Sequence, residues 1–212
     1  MKLLITLDKN FNQILKQPQD ILIMLGTGPV HEESNFQSYF QSYFQNCMKN
    51  CIYNSSNYKI KDENTLVTPG RNDFNNHTSL FQRLFGYSKF HIINFMRKKY
   101  GSENYIKFIN GIAFICLGFE PNDESIDFLE EALNLYEDDK KVIFFYKNYL
   151  NLNNNRLSRL ITDYNENILF IACSSNSFTG FRTWNGVEVI TPTIGEIITG
   201  TYYNENLVLD VE

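Results

Sequence analysis

At 212 residues the chain can bury roughly 70% of its unfolded surface around one core, and no Pro-, Gly- or Ser-rich stretch divides it, so a single domain over 1–212 is expected. A net charge of −5 argues against a general binder of nucleic acid, DNA included, and no window reaches the ~18 apolar residues of a membrane span. The one apolar stretch near the start, Leu3-Leu4-Ile5, is too short for a signal-peptide core, which points to a cytoplasmic protein with reduced cysteines.

In chain order, a first strand built on Leu3, Leu4 and Ile5 runs to Asp8, and a short helix is expected over 11–16. A buried-type strand, Ile21-Leu22-Ile23-Met24-Leu25, ends at Gly26-Thr27. Residues 33–49 carry Phe36, Tyr39, Phe40, Tyr43 and Phe44 at helical spacing, with Cys47 and Cys51 four apart, a reduced packing pair rather than half of a zinc site. A β-type run after Asn64 breaks at Pro69-Gly70 and ends on Arg71-Asn72-Asp73. Helices follow over 79–85 and 90–100, the second closing on Arg97-Lys98-Lys99, where cations complement the helix dipole.

The second half is more regular. Asn110-Gly111 and Asn185-Gly186 each separate two β-type runs, and both residues of such a pair tolerate the positive φ of a two-residue hairpin turn. Ile126, Phe128, Leu129, Ala132, Leu133 and Tyr136 form an apolar stripe in a helix over 125–136, and another helix is expected over 156–164. Apolar strands over 142–147 and 167–175 alternate with these helices, and a last hairpin pairs 196–203 with 207–211. Alternation early and hairpins late predict an α/β fold, a layered α/β/β/α sandwich with two mixed β-sheets flanked by helices.

Taken in this order, several motifs resemble those of the calcineurin-like metallophosphoesterases. Gly70-Arg71-Asn72-Asp73 is similar to that family's Gly-Asn-His-Asp loop, Asp8 stands at its Asp-x-His, and Gly26-Thr27 at its Gly-Asp. The strand ending in Tyr146-Lys147 takes the place of one that delivers a histidine, and Cys173-Ser174-Ser175 that of Gly-His-x-His. The family holds two cations roughly 3.5–4 Å apart, so that a bridging hydroxide attacks phosphorus in line. The resemblance implies that this chain has lost that site. Its ligand positions read Asp8, Thr27, Arg71, Asn72, Asp73, Lys147, Cys173 and Ser175, where neutral groups and fixed cations replace most of the carboxylate and imidazole that hard cations need. The three histidines, His31, His77 and His91, fall elsewhere.

The resemblance thus implies a catalytically inactive member with no catalytic residue, metal or cofactor, acting by binding protein partners within a larger assembly. Two other readings stand beside it. One is an active phosphoesterase with a rearranged site drawing on Asp8, Asp73, Cys173 or His77, and the other a small factor docked on a ribonucleoprotein such as the ribosome. Aromatic residues make up 15% of the chain, and such residues dominate interface cores, so Tyr39, Tyr43, Trp184, Tyr202 and Tyr203 are the candidate interface.

Overall fold

The computed structural model describes residues 1–7, 20–26, 65–68, 101–119, 121–147, 155–174, 180–192, 196–203 and 206–211. The helices expected over 11–16, 33–49, 79–85 and 90–100 lie outside these residues, as do all three histidines. Among the described residues the protein is α/β, mostly strand, with two mixed sheets and two α-helices. None of these helices is long and apolar enough to cross a membrane. The contacts divide the chain into two compact units, one of residues 1–24, 29–67 and 192–212, the other of residues 25–28 and 68–191.

The first unit carries a five-stranded sheet in the order β11-β10-β1-β2-β3, where β1 is Lys2–Leu7, β2 Ile21–Leu25, β3 Thr65–Val67, β10 Ile197–Tyr203 and β11 Asn206–Val211. β2 and β3 run parallel, whereas β10 pairs antiparallel with both β1 and β11. All five residues of β2 are buried, which is why it reads as a continuous apolar run instead of an alternating one. Gly200 sits where β1 and β11 approach across β10. A Cβ built there would lie 3.0 Å from Leu209 Cδ2 and 3.4 Å from Leu3 Cβ, so the missing side chain is what lets Leu209 and Leu3 close over the strand.

The second unit holds a six-stranded sheet in the order β4-β5-β6-β7-β9-β8. Its strands are β4 Asn104–Ile109, β5 Ile112–Leu117, β6 Lys140–Lys147, β7 Ile168–Ser174, β8 Gly180–Trp184 and β9 Val187–Thr191. β5, β6, β7 and β9 are mutually parallel, and the antiparallel hairpins β4–β5 and β8–β9 close the two edges. Both expected Asn-Gly turns are present: Asn110 and Gly111 have φ of 50° and 80°, Asn185 and Gly186 of 50° and 82°.

The crossovers are α1, Asp123–Leu135, and α2, Asn155–Asp163. α1 begins two residues before the sequence pattern places it, because Asn122 Oδ1 accepts the Ser125 amide at 2.8 Å and caps a first turn holding Asp123 and Glu124. Ile126, Leu129, Ala132 and Leu133 of α1 and Leu157, Leu160 and Ile161 of α2 are buried on one face of the sheet. There they meet Ile115, Leu117, Ile143, Phe145, Ile171, Cys173, Val187 and Val189. Burial of each Leu or Ile contributes on the order of 1.5–3 kcal/mol relative to exposure. The other parity of the same strands, Phe114, Cys116, Val142, Phe144, Phe170, Ala172 and Ile190, is buried as well. Arg156 ties the helices together by pairing with Asp127 at 2.5 Å and with Glu130.

Candidate functional site

In an α/β sheet, ligands collect outside the carboxyl ends of the parallel strands. At that edge of the second unit, three segments distant in sequence meet. The Gly26 amide, just after β2, donates to Thr68 Oγ1, just after β3, at 2.8 Å in a buried position. Over the same glycine lies the ring of Tyr146 from β6. A Cβ at Gly26 would fall 2.3 Å from Tyr146 Cε2 and 2.5 Å from Cδ2, and the glycine has φ of +79°. Only a residue without Cβ combines that backbone with that approach. Phe119, beyond β5, flanks the ring from another side with centroids 5.5 Å apart.

The β6–β7 ladder is irregular at Tyr146. Phe145 pairs with Cys173 and Lys147 with Ser174, so Tyr146 is an extra residue in the register, a bulge of the kind that re-aims a side chain at a strand end. Strand alternation keeps Phe145 in the helix-side cluster and puts Tyr146 on the opposite side, where it meets Gly26.

Of the positions named from the sequence, Cys173 is fully described. It is buried in β7, its Sγ 3.8 Å from Thr191 Oγ1, and burial pushes the thiol up to about 12 despite that hydrogen bond and the nearby Arg182 charge. A thiol held protonated is not a nucleophile. Cys116, on the opposite face of the sheet, is likewise buried and pushed up to about 12. Lys147 closes β6. Asp8, Thr27, Arg71, Asn72, Asp73 and Ser175 lie outside the described residues, although Gly26, Thr68 and Tyr146 bring the residues flanking Thr27, Pro69 and Lys147 to one place.

Of the candidate interface residues, Tyr39 and Tyr43 lie outside the described residues. Trp184 is half-buried and packs against the helix-side cluster of the second unit, so its ring serves that core. Tyr202 is half-buried and Tyr203 is 73% exposed at the end of β10. The partner strand adds Val208 at 60% and Val211 at 46%, which makes the β10–β11 hairpin the main exposed apolar feature of the first unit among the described residues. On the second unit Phe108 is exposed but stacks on Tyr136, centroids 5.6 Å apart and planes 17° apart.

Lys141 is a residue that sequence reasoning missed. It is the second residue of β6 and is buried, and its Nζ donates to the carbonyls of Glu137 at 3.0 Å and Asp139 at 2.7 Å, closing the turn that leaves α1. Burial pushes its ammonium below the usual lysine value, partly offset by Asp139 and Asp138. A lysine flanking an apolar run reads as a solvated strand start, and no local pattern announces carbonyls waiting to receive it.

In comparisons with known proteins, no family model matches this chain, and no curated protein matches it at a significant level.

Proposed function

We propose that this chain works by binding, as an interaction subunit of a larger assembly, with the β10–β11 hairpin as its docking surface and a metallophosphoesterase-like α/β/β/α sandwich as its scaffold. The observation that carries the reading is the set of exposed apolar side chains on one hairpin, Tyr203 and Val208 on one face and Val211 on the other. Exposed aromatic and branched apolar side chains are the usual material of interface cores. The buried, protonated Cys173 supports it further, since the one thiol at the resemblance's strand end is withheld from nucleophilic chemistry.

The test compares wild type with Tyr203→Ser and Val211→Ser for melting temperature and for proteins recovered by in-cell crosslinking. Selective loss of crosslinked partners at unchanged melting temperature is expected. An identical set of partners from all three proteins would refute the hairpin as the docking surface.

A further inference from the structure

We infer that the β11 edge pairs with β11 of a second copy of this chain, antiparallel about a two-fold axis at Val208, so that the two five-stranded sheets become one continuous sheet. This rests on the hairpin being the binding surface, and it names the partner.

β11 is the outermost strand in its sheet, and among the described residues it has a neighbouring strand on one side only. Natural edges are blunted by Pro, Lys, bulges or shortness, because an open row of amides and carbonyls templates another strand. β11 has no Pro, Lys or bulge, and its one charge is Asp210. Its sequence Asn-Leu-Val-Leu-Asp-Val contains no Pro, Gly, Lys or Arg, and its register with β10 is unbroken over six pairs, from Ile198↔Val211 to Tyr203↔Asn206. The strand is therefore regular, without a bulge, and six residues long.

Its side chains match a second copy of themselves. With Val208 on the axis, Leu207 faces the copy's Leu209, Val208 faces Val208, and Asn206 faces Asp210. Cross-strand partners lie on one face, so each row continues across the junction. On one face the half-buried Tyr202 and Leu207 extend to the copy's Leu209 and Gly200. On the other, Thr201 and the 60%-exposed Val208 meet their equivalents. The strand's one carboxylate, Asp210, meets an amide and not another carboxylate, so no like charges oppose each other. Any other antiparallel strand would have to supply this apolar-polar alternation by chance, whereas a second copy supplies it by symmetry.

Five residue pairs bury less than a standard interface, so the dimer is weak, with a Kd on the order of 10–100 µM. Sedimentation equilibrium of the full chain from about 5 µM to about 500 µM brackets that range. The expected mass rises from 24.9 kDa toward twice that value. Val208→Lys places two ammonium groups on the axis and leaves the chain monomeric throughout, as does Val208→Glu by itself. Mixing the two variants restores a dimer of mixed composition. Amide hydrogen exchange of wild type provides a check that needs no variant: residues 206–211 exchange several-fold more slowly at the high concentration, while β7 amides are unchanged. A wild type that stays monomeric at the highest concentration, or a dimer that persists in Val208→Lys, overturns the inference. If the chain is monomeric and Tyr203→Ser still loses crosslinked partners, the hairpin remains a docking surface and the second copy is not its occupant.

Discussion

Replacing Gly26 by alanine inserts a methyl group 2.3 Å from Cε2 and 2.5 Å from Cδ2 of Tyr146, at a residue whose φ is +79°. Two separable costs follow. Holding a residue with Cβ in left-handed backbone costs roughly 1–2 kcal/mol. Forcing the ring aside costs roughly 1–3 kcal/mol more, because Phe119 limits where it can go. The single variant is thus expected to lose about 2–5 kcal/mol. In a Tyr146→Ala background the ring is gone and only the backbone cost remains, so the two substitutions couple favourably by roughly 1–3 kcal/mol. Urea unfolding of the four proteins in this cycle, followed by far-UV circular dichroism, measures that term. If Gly26→Ala costs the same in both backgrounds to within about 0.5 kcal/mol, the ring does not stand on the glycine and the strand-end arrangement described here is wrong.

Cys116 and Cys173 should resist iodoacetamide in the native protein at pH 8 and react once it is unfolded, as peptide mapping by mass spectrometry would report. Both thiols are pushed from 9.0 up to about 12, so the unfolded chain gives up these protons first and their contribution to stability is lost as pH climbs from about 9 to about 12. A Cys173→Ser/Cys116→Ser chain should show a shallower decline over that window, and an unchanged slope would count against it. Lys141→Ala should cost about 2–4 kcal/mol through lost stem packing and two abandoned carbonyls, and Lys141→Met less, because it keeps the stem. The folded ammonium titrates below the usual 10.5, so between those two values the unfolded chain holds more protons. Wild-type stability relative to Lys141→Met therefore rises with pH across that window, and a fall would contradict the buried placement.

Local rules explain what the sequence made legible. The turns at Asn110-Gly111 and Asn185-Gly186 are set by two residues that accept positive φ, and α1 and α2 follow from apolar spacing along a single segment. Strands β5, β6 and β7 announce themselves as apolar runs because both of their faces are buried. What escaped depends on partners far away in the chain. Nothing near Tyr146 signals that Gly26, 120 positions earlier, lacks a Cβ to make room for it. The bulge at Tyr146 is equally silent. Alternation says that Thr201 and Tyr203 share a face, but whether that face meets solvent depends on what packs over it, and both are exposed. Trp184 shows the converse, an aromatic ring taken up by its own core.

The pairing of β1 with β10 bears on how the molecule is made. Lys2 lies opposite Thr201, and the Met1 ammonium donates to the Tyr202 carbonyl at 2.9 Å, 201 positions away. During synthesis β1 emerges before the other described strands, yet it cannot take its place beside β10 until almost all the rest of the described chain has followed. The six-stranded sheet draws on a nearly continuous span and is free to form earlier. Loop closure over such a distance is slow, and meanwhile β1 has β2 on one side and an open apolar edge on the other. That open edge of β1 is therefore exposed to pairing with other chains until β10 arrives to cover it.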